Sequence, residues 1–244
     1  MKKIIYTIAL VFFTINCFSQ QTIIFPSLDK VPIAADLYKI NETATYIVLC
    51  HLSDHSRGEY IETAKRLNEL GYNCLAIDTR TGNEIFNIKN QTAIQAKKLN
   101  KPVEFLDSEQ DIIAAVNYAD SLSNGKGIIL FGSSFSASLA LKIGTENPKV
   151  KLVIAFSPGE YFGKQLNLTK VIKTLSKPIF VTSSKEEAVK VALLIKNIKS
   201  RSKTQFIPKG EGKHGSISLW SYNPNNIEYW EALVNFLNKF ESLK

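Results

Sequence analysis

Short apolar runs alternate with stretches of helical periodicity along almost the whole chain. After two β-type runs, QTIIF (21–25) and VPIAADLYK (31–39), separated by the turn-forming PSLDK, the pattern becomes regular. ATYIVLCH (44–51) reads as a buried strand, and EYIETAKRLNEL (59–70) as an amphipathic helix ended by Gly71. YNCLAIDTR (72–80), GIILFGSS (127–134), KLVIAFSPG (151–159), KPIFVTSS (177–184) and KTQFIPKG (203–210) read as further strands. Helices are predicted over SEQDIIAAVNYADSL (108–122), FSASLALKIGTE (135–146), a short stretch near 165–175, EEAVKVALLIKNIK (186–199) and NIEYWEALVNFLNKF (226–240).

Strands alternating with helices of this length imply parallel βαβ crossovers. Near-continuous apolar strands such as IVLC and GIILF suit a sheet covered on both faces. The expected fold is therefore α/β: a mostly parallel, twisted sheet of about eight strands with helices on both faces. No fixed-period repeat and no Gly/Ser/Pro-rich linker divides the chain, so residues 20–244 are expected to form one domain. The polar stretch from Thr81 to Pro102 is too short to build a lid core of its own and is expected to be a flap over the site, with no large cap domain.

The N-terminus follows a different rule. MKKIIYTIALVFFTINCFS has Lys2 and Lys3 before an apolar run, Ile4 to Ile15, that is short for a spanning helix. It reads as a signal peptide over residues 1–19, cleaved after Ser19, so the protein is expected to be exported to the periplasm or secreted. An uncleaved anchor is one alternative. A lipoprotein through Cys17 is another, disfavoured by the Thr14-Ile15-Asn16 lead-in. The rest of the chain has no second long apolar run, so no membrane span is expected after signal removal.

Composition narrows the function classes. The formal net charge is +8, and removing Lys2 and Lys3 lowers it to +6. The excess is scattered lysine with only four arginines and no arginine–aromatic stripe, which argues against a nucleic-acid partner. Cys50 and Cys74 lie inside separate strands and are expected to be buried free thiols. No Cys/His cluster with metal spacing and no dinucleotide fingerprint is present, so neither metal nor cofactor is implied.

In sheets of this kind reactive groups gather beyond the carboxyl ends of the strands. Four such ends carry chemistry: His51-Leu52-Ser53-Asp54-His55, Gly132-Ser133-Ser134-Phe135-Ser136, Ser183-Ser184-Lys185-Glu186-Glu187 and Glu211-Gly212-Lys213-His214-Gly215. A nucleophile on a tight strand-to-helix turn tolerates only small residues two positions before and after it. Ser133 fails because Phe131 precedes it by two. Ser134, between Gly132 and Ser136, satisfies the test and is the expected nucleophile. Ser136 also has small neighbours but lies further into the helix. A serine needs an adjacent base, and of the three histidines only His214 follows the last strand, flanked by Gly212 and Gly215. His55 reads as a loop residue near the pocket mouth. Adjacent Glu186 and Glu187 follow the strand ending at 184 and offer the supporting carboxylate; the apolar spacing of the next helix fits Glu186 nearly as well as Glu187. Asp107 and Asp111 read as helix-start residues.

The order serine, carboxylate, histidine resembles the α/β-hydrolase fold. The segments HLSDHSRGEYIETAKRLNELGYNCLAIDTR, FGSSFSASLAL and AFSPGEY taken with KHGS resemble its dienelactone-hydrolase-like esterase branch, over nearly the whole mature chain. The resemblance implies a serine hydrolase with a Ser-acid-His triad acting through an acyl-enzyme. The best-known members of that branch carry a cysteine nucleophile where this chain has a serine. Counting from Pro178, as in related hydrolases, favours Glu187 as the acid; Glu160 in SPGEY is the competitor, since some relatives place the acid there. The resemblance further implies an oxyanion hole from the backbone N–H groups of Phe135 and Leu52, with His51 bracing the loop and Gly132 and Ser136 supporting the turn. The expected substrate is a small or medium carboxylic ester. A non-catalytic binding protein on the same fold, or a peptidase or acyltransferase with the same triad, stands as the alternative. Tyr161, Phe162, Trp220 and Tyr222, near other strand ends, are expected to shape a modest apolar pocket.

Overall fold

The computed structural model describes residues 19–241. Of the expected signal peptide only Ser19 is among them; the rest of that expectation lies outside the described residues. The chain begins with an antiparallel pair, β1 (Ser19–Pro26) and β2 (Pro32–Lys39). It continues through β3 (Tyr46–Cys50), helix α1 (Ile61–Glu69), β4 (Asn73–Ile77), a short hairpin of β5 (Glu84–Ile85) and β6 (Ile88–Lys89), and helix α2 (Gln91–Lys98). Helix α3 (Glu109–Leu122), β7 (Ile128–Ser133), α4 (Phe135–Glu146), β8 (Val150–Phe156) and α5 (Leu168–Val171) follow. Strand β9 (Ile179–Thr182), α6 (Ala188–Ile195), β10 (Lys203–Phe206) and α7 (Asn226–Glu241) complete it.

Eight strands form one sheet in the order β1-β2-β4-β3-β7-β8-β9-β10, parallel from β4 to β10. Every residue of β3, β4, β7 and β9 is buried. Alternate side chains enter two cores, because successive residues of a strand point to opposite faces. One core gathers Val48, Leu130 and Val153 under α3 to α6; the other gathers Ile47, Ile129 and Leu152 under α1 and α7. Two-sided burial leaves no room for the polar alternation of a half-exposed sheet, which is why these strands read as apolar runs. Cys50 and Cys74 are both buried and free, one in each core. Burial pushes both thiols up, so they stay protonated and act as small apolar side chains.

The stretch from Thr81 to Pro102 is built differently from the expected flap. It contains the hairpin and helix α2, and it is pinned to the body. Thr92 Oγ1 accepts from Ala34 N (3.0 Å), and Asn90 Nδ2 donates to Thr79 O (2.9 Å). Helix α2 escaped the sequence pattern because QTAIQAKK buries only Thr92, Ala93 and Ala96, a stripe without large apolar residues. Asn90 caps it by accepting from Ala93 N (2.8 Å). Among the described residues no helix is long and apolar enough to cross a membrane.

Register fixes where the site lies. Cys50 pairs with Gly132, Ser133 with Phe156, and Phe156 with Thr182, which in turn pairs with Phe206. The carboxyl ends of five parallel strands are thus level, and the residues that follow each of them meet on one edge.

Candidate active site

The chain leaves β7 at Ser133 and enters α4 at Phe135, so a single residue makes the turn. That residue, Ser134, has φ 59° and ψ −124°, a region that side-chain-bearing residues rarely occupy. Three backbone hydrogen bonds hold it there: its N–H donates to Phe156 O (2.8 Å), and its carbonyl accepts from Ala137 N (2.9 Å) and Ser138 N (3.3 Å). Strain of this kind persists only where neighbours over-determine the geometry. Gly132 makes the turn possible by close approach: a Cβ there would stand 2.3 Å from the carbonyl oxygen of Ser136.

Three serines in this stretch have three partners. Ser133 Oγ accepts from Ser216 N (2.9 Å) and so anchors the loop that carries His214. Ser136 Oγ donates to the carbonyl of His51 (2.7 Å), tying the start of α4 to the end of β3. Only Ser134 meets the histidine: its Oγ lies 2.8 Å from His214 Nε2. On the other side of the ring, His214 Nδ1 lies 2.5 Å from Glu187 Oε1.

Glu187 is therefore the carboxylate that bonds the imidazole. Glu160 turns instead to the start of α5, accepting from Leu168 N (2.8 Å) and Thr169 N (2.8 Å). Glu186, one position before Glu187, makes no hydrogen bond to His214 among the described residues. The second oxygen of Glu187 accepts from Ser157 Oγ (2.7 Å), Ser184 Oγ (3.0 Å) and Ser184 N (3.1 Å). Burial opposes its ionisation, but the bonds from His214, Ser157 and Ser184 prevail and lower its pKa from 4.5 to about 2. An ionised carboxylate can only accept, so Nδ1 carries the ring proton and Nε2 presents a lone pair to the Ser134 hydroxyl.

Ser157, which directly follows β8, went unnoticed in the sequence. It has φ 56° and is buried. Besides donating to Glu187, its Oγ accepts from Gly215 N (2.9 Å), so one hydroxyl joins the acid to the histidine loop. Its carbonyl accepts from the Tyr161 hydroxyl (2.9 Å). The only available signal was position, at the end of LVIAF and opening SPGEY.

The loop after β3 departs from the sequence reading at one atom. Leu52 N, expected as an oxyanion donor, donates to Glu59 Oε2 (2.9 Å) and is unavailable. Glu59 is fully buried, and the same oxygen receives His55 Nδ1 (2.9 Å) while Oε1 receives the Ser216 hydroxyl. Burial alone would raise the Glu59 pKa; the His55 and Ser216 hydrogen bonds hold it below the ordinary glutamate value. Leu52 O accepts from His55 N (3.3 Å), closing a turn in which Ser53 N–H has no acceptor among the described residues. Phe135 N–H is likewise open, being the first of α4. His51 does brace the loop. Its Nε2 accepts from Thr79 N (3.1 Å), which leaves Nδ1–H to donate to Leu52 O (2.6 Å). Burial lowers its pKa and keeps it neutral.

A cavity of about 640 Å³ opens beside the triad, lined by Pro158, Tyr161, Lys190, Val191, Leu194 and His214 among others. Of the aromatics expected around a pocket, Tyr161 lines it. Phe162 and Trp220 are largely buried, and Tyr222 is exposed, its ring tilted against that of Trp220.

Strand order, the strained serine and its histidine and carboxylate partners together define an α/β-hydrolase. A family model for the dienelactone hydrolase family matches residues 55–207, more than half of the chain. The chain belongs to the dienelactone hydrolase family and is a hydrolase enzyme. Solved structures with the same fold include an esterase from Pyrococcus furiosus, 17% identical with a TM-score of 0.67, covering 91% of this chain and 90% of that one. A dienelactone hydrolase from Anabaena variabilis is 14% identical with a TM-score of 0.69, covering 91% of this chain and 98% of its own. The esterase domain of a Rhodothermus marinus protein is 15% identical with a TM-score of 0.62, over 91% and 98% of the two chains. No curated protein matches the chain in sequence.

Proposed function

We propose that the protein is an exported serine esterase that cleaves small or medium carboxylic esters through an acyl-enzyme. The hydrogen-bonded series Ser134 Oγ–His214 Nε2, His214 Nδ1–Glu187 Oε1 is the observation that carries this reading. Ser134 Oγ attacks the acyl carbon while His214 Nε2 takes its proton, and Glu187 stabilises the imidazolium that results. The carbonyl oxygen becomes an oxyanion facing the Phe135 N–H and, in place of Leu52, the Ser53 N–H. His214 then returns its proton to the leaving alkoxide. Water, with His214 again as base, releases the acid.

The cavity of about 640 Å³ supports a substrate of modest size. Esterase and dienelactone hydrolase relatives of the same fold support ester chemistry. Lys2, Lys3 and the following apolar run support export, with the mature chain starting at Gln20. Mass spectrometry of the secreted or periplasmic protein tests that start point; an intact Met1 on the purified protein rejects it.

Hydrolysis of p-nitrophenyl acetate or butyrate and labelling by a fluorophosphonate, each for wild type and Ser134→Ala, test the mechanism. Both activities are expected in wild type and neither in the variant. A wild type inert in both assays, or a variant that retains both, rejects the reading.

A further inference from the structure

We propose that Tyr161 is a further catalytic residue, its hydroxyl donating a hydrogen bond to the leaving-group oxygen as the ester C–O bond breaks. The proposal rests on the serine-esterase reading above. Its first ground is the side of the triad on which the cavity lies. In the tetrahedral intermediate the oxyanion turns toward Phe135 N–H, whereas the leaving oxygen must lie near His214 Nε2 to receive a proton. The cavity is lined by His214, Glu187 and Tyr161, and by neither Phe135 nor the Leu52–Ser53 turn. Ser134 does not line it either, so the cavity flanks the triad on the His214 side, from which the leaving oxygen takes its proton, and is the space open to the alcohol part of the ester.

The second ground is where the Tyr161 hydroxyl sits. It donates to Ser157 O (2.9 Å) and also comes close enough to the Ser134 side chain to interact with it. Ser134 gives its own proton to His214 Nε2 (2.8 Å), so it has none for Tyr161. The phenolic proton is thus the one that can turn between the Ser157 carbonyl and an oxygen arriving next to Ser134. Burial raises the Tyr161 pKa, so the hydroxyl remains a donor at neutral pH.

The third ground is how the ring is held. Gly159 has no side chain where one would collide with Tyr161: a Cβ there would lie 2.9 Å from Cζ and 3.2 Å from the hydroxyl oxygen. Gly159 is itself fixed by Ser138, whose Oγ accepts from Gly159 N (2.9 Å) and donates to Gly159 O (2.8 Å). The ring rests on a braced loop, with its hydroxyl on the Ser157 carbonyl and within interaction range of the Ser134 side chain.

Protons and electrons balance without a further reactant. As the acyl C–O bond breaks, its electron pair passes to the leaving oxygen and His214 Nε2–H transfers its proton there. Tyr161 keeps its own proton throughout and shares it only as a hydrogen bond, relieving the charge that builds before transfer is complete. The benefit grows with the basicity of the alcohol, because a poor leaving group develops more charge.

The test compares ethyl butyrate with p-nitrophenyl butyrate, which share an acyl group and differ in leaving group. Values of kcat/KM, which report acylation, are measured for the full wild-type protein, Tyr161→Phe and Gly159→Ala. Tyr161→Phe is expected to lose about 10- to 100-fold on the ethyl ester and less than about threefold on the p-nitrophenyl ester. Gly159→Ala keeps the hydroxyl but pushes the ring aside, and the same selective loss is expected from it. Equal losses on both esters, or no loss on either, overturn the role of Tyr161 while wild-type turnover upholds the esterase reading. A wild type inert on both esters overturns the esterase reading and the Tyr161 role with it.

Discussion

Removing the Glu59 carboxylate tests whether the loop after β3 is held from below by one buried charge. Glu59 is fully buried, and its two oxygens receive Leu52 N (2.9 Å), His55 Nδ1 (2.9 Å) and the Ser216 hydroxyl. Those donors come from the loop after β3 and from the segment just after His214, so one side chain joins both halves of the site. In Glu59→Ala the Leu52 N–H loses its acceptor in a place water cannot easily reach. An unsatisfied buried donor costs about 1–3 kcal/mol, and loss of the charged partner of His55 adds to it, for a total of about 3–5 kcal/mol. Glu59→Gln keeps an oxygen for Leu52 N, and its amide can donate to Ser216 once that hydroxyl turns to accept. It is expected to cost about 1–2 kcal/mol. Urea denaturation measures both variants, and kcat/KM on a p-nitrophenyl ester measures the loop. The Ala variant is expected to lose more than about tenfold in kcat/KM, because Ser53 N–H shifts with Leu52. A cost below about 1 kcal/mol for Ala, or equal costs for Ala and Gln, would refute the reasoning.

Three further predictions concern the acid and the turn. Glu187→Gln is expected to lower kcat/KM by about 10²- to 10⁴-fold, whereas Glu160→Gln, altered at a helix start, leaves it near wild type; comparable losses would dissolve the assignment. The pKa of Glu187 is depressed from 4.5 to about 2, so its contribution to stability is present above pH 4.5 and lost as pH falls toward 2. Discounted for its partial exposure, that contribution is about 1–2 kcal/mol, and denaturation midpoints of Glu187→Gln should show a correspondingly flatter acid limb. Gly132→Ala would drive a Cβ to 2.3 Å from the Ser136 carbonyl oxygen, and a loss of about 3 kcal/mol or more is expected. Ser136→Ala, which loses only the bond to His51 O, should cost about 1 kcal/mol; denaturation midpoints separate the two.

What the sequence disclosed and what it hid follow from range. The strands were legible because burial on both faces writes itself as continuous apolar residues, and α4 was legible to the residue, Phe135–Glu146. Ser134 could be picked because the constraint on it is local. Gly132 touches the backbone of Ser136, four positions away, and the chain shows both residues at once. Choosing Glu187 over Glu186 depended on where β9 ends, which periodicity gives only to a residue or two, and counting from Pro178 supplied the rest.

The Leu52 expectation failed because its N–H is claimed by a side chain seven positions on, in a segment that reads as an amphipathic helix start. Nothing in EYIET announces a buried carboxylate. Glu59 precedes Tyr60 and Ala64, both fully buried, yet an acidic residue at a helix start is ordinarily a solvated one. Ser157 was hidden for the same reason, and so was the closeness of Tyr161, expected only as a pocket residue, to Ser134: Glu187 and Ser134 come near these two only after β7, β8 and β9 lie side by side. A sequence exposes the groups that a mechanism needs by type and order. The residues that orient those groups are chosen by contacts across strands, where serine, glutamate and tyrosine have no local signature. Catalytic order can therefore be read from one chain while the donor geometry around it cannot, and the Glu59 and Tyr161 variants address that second layer.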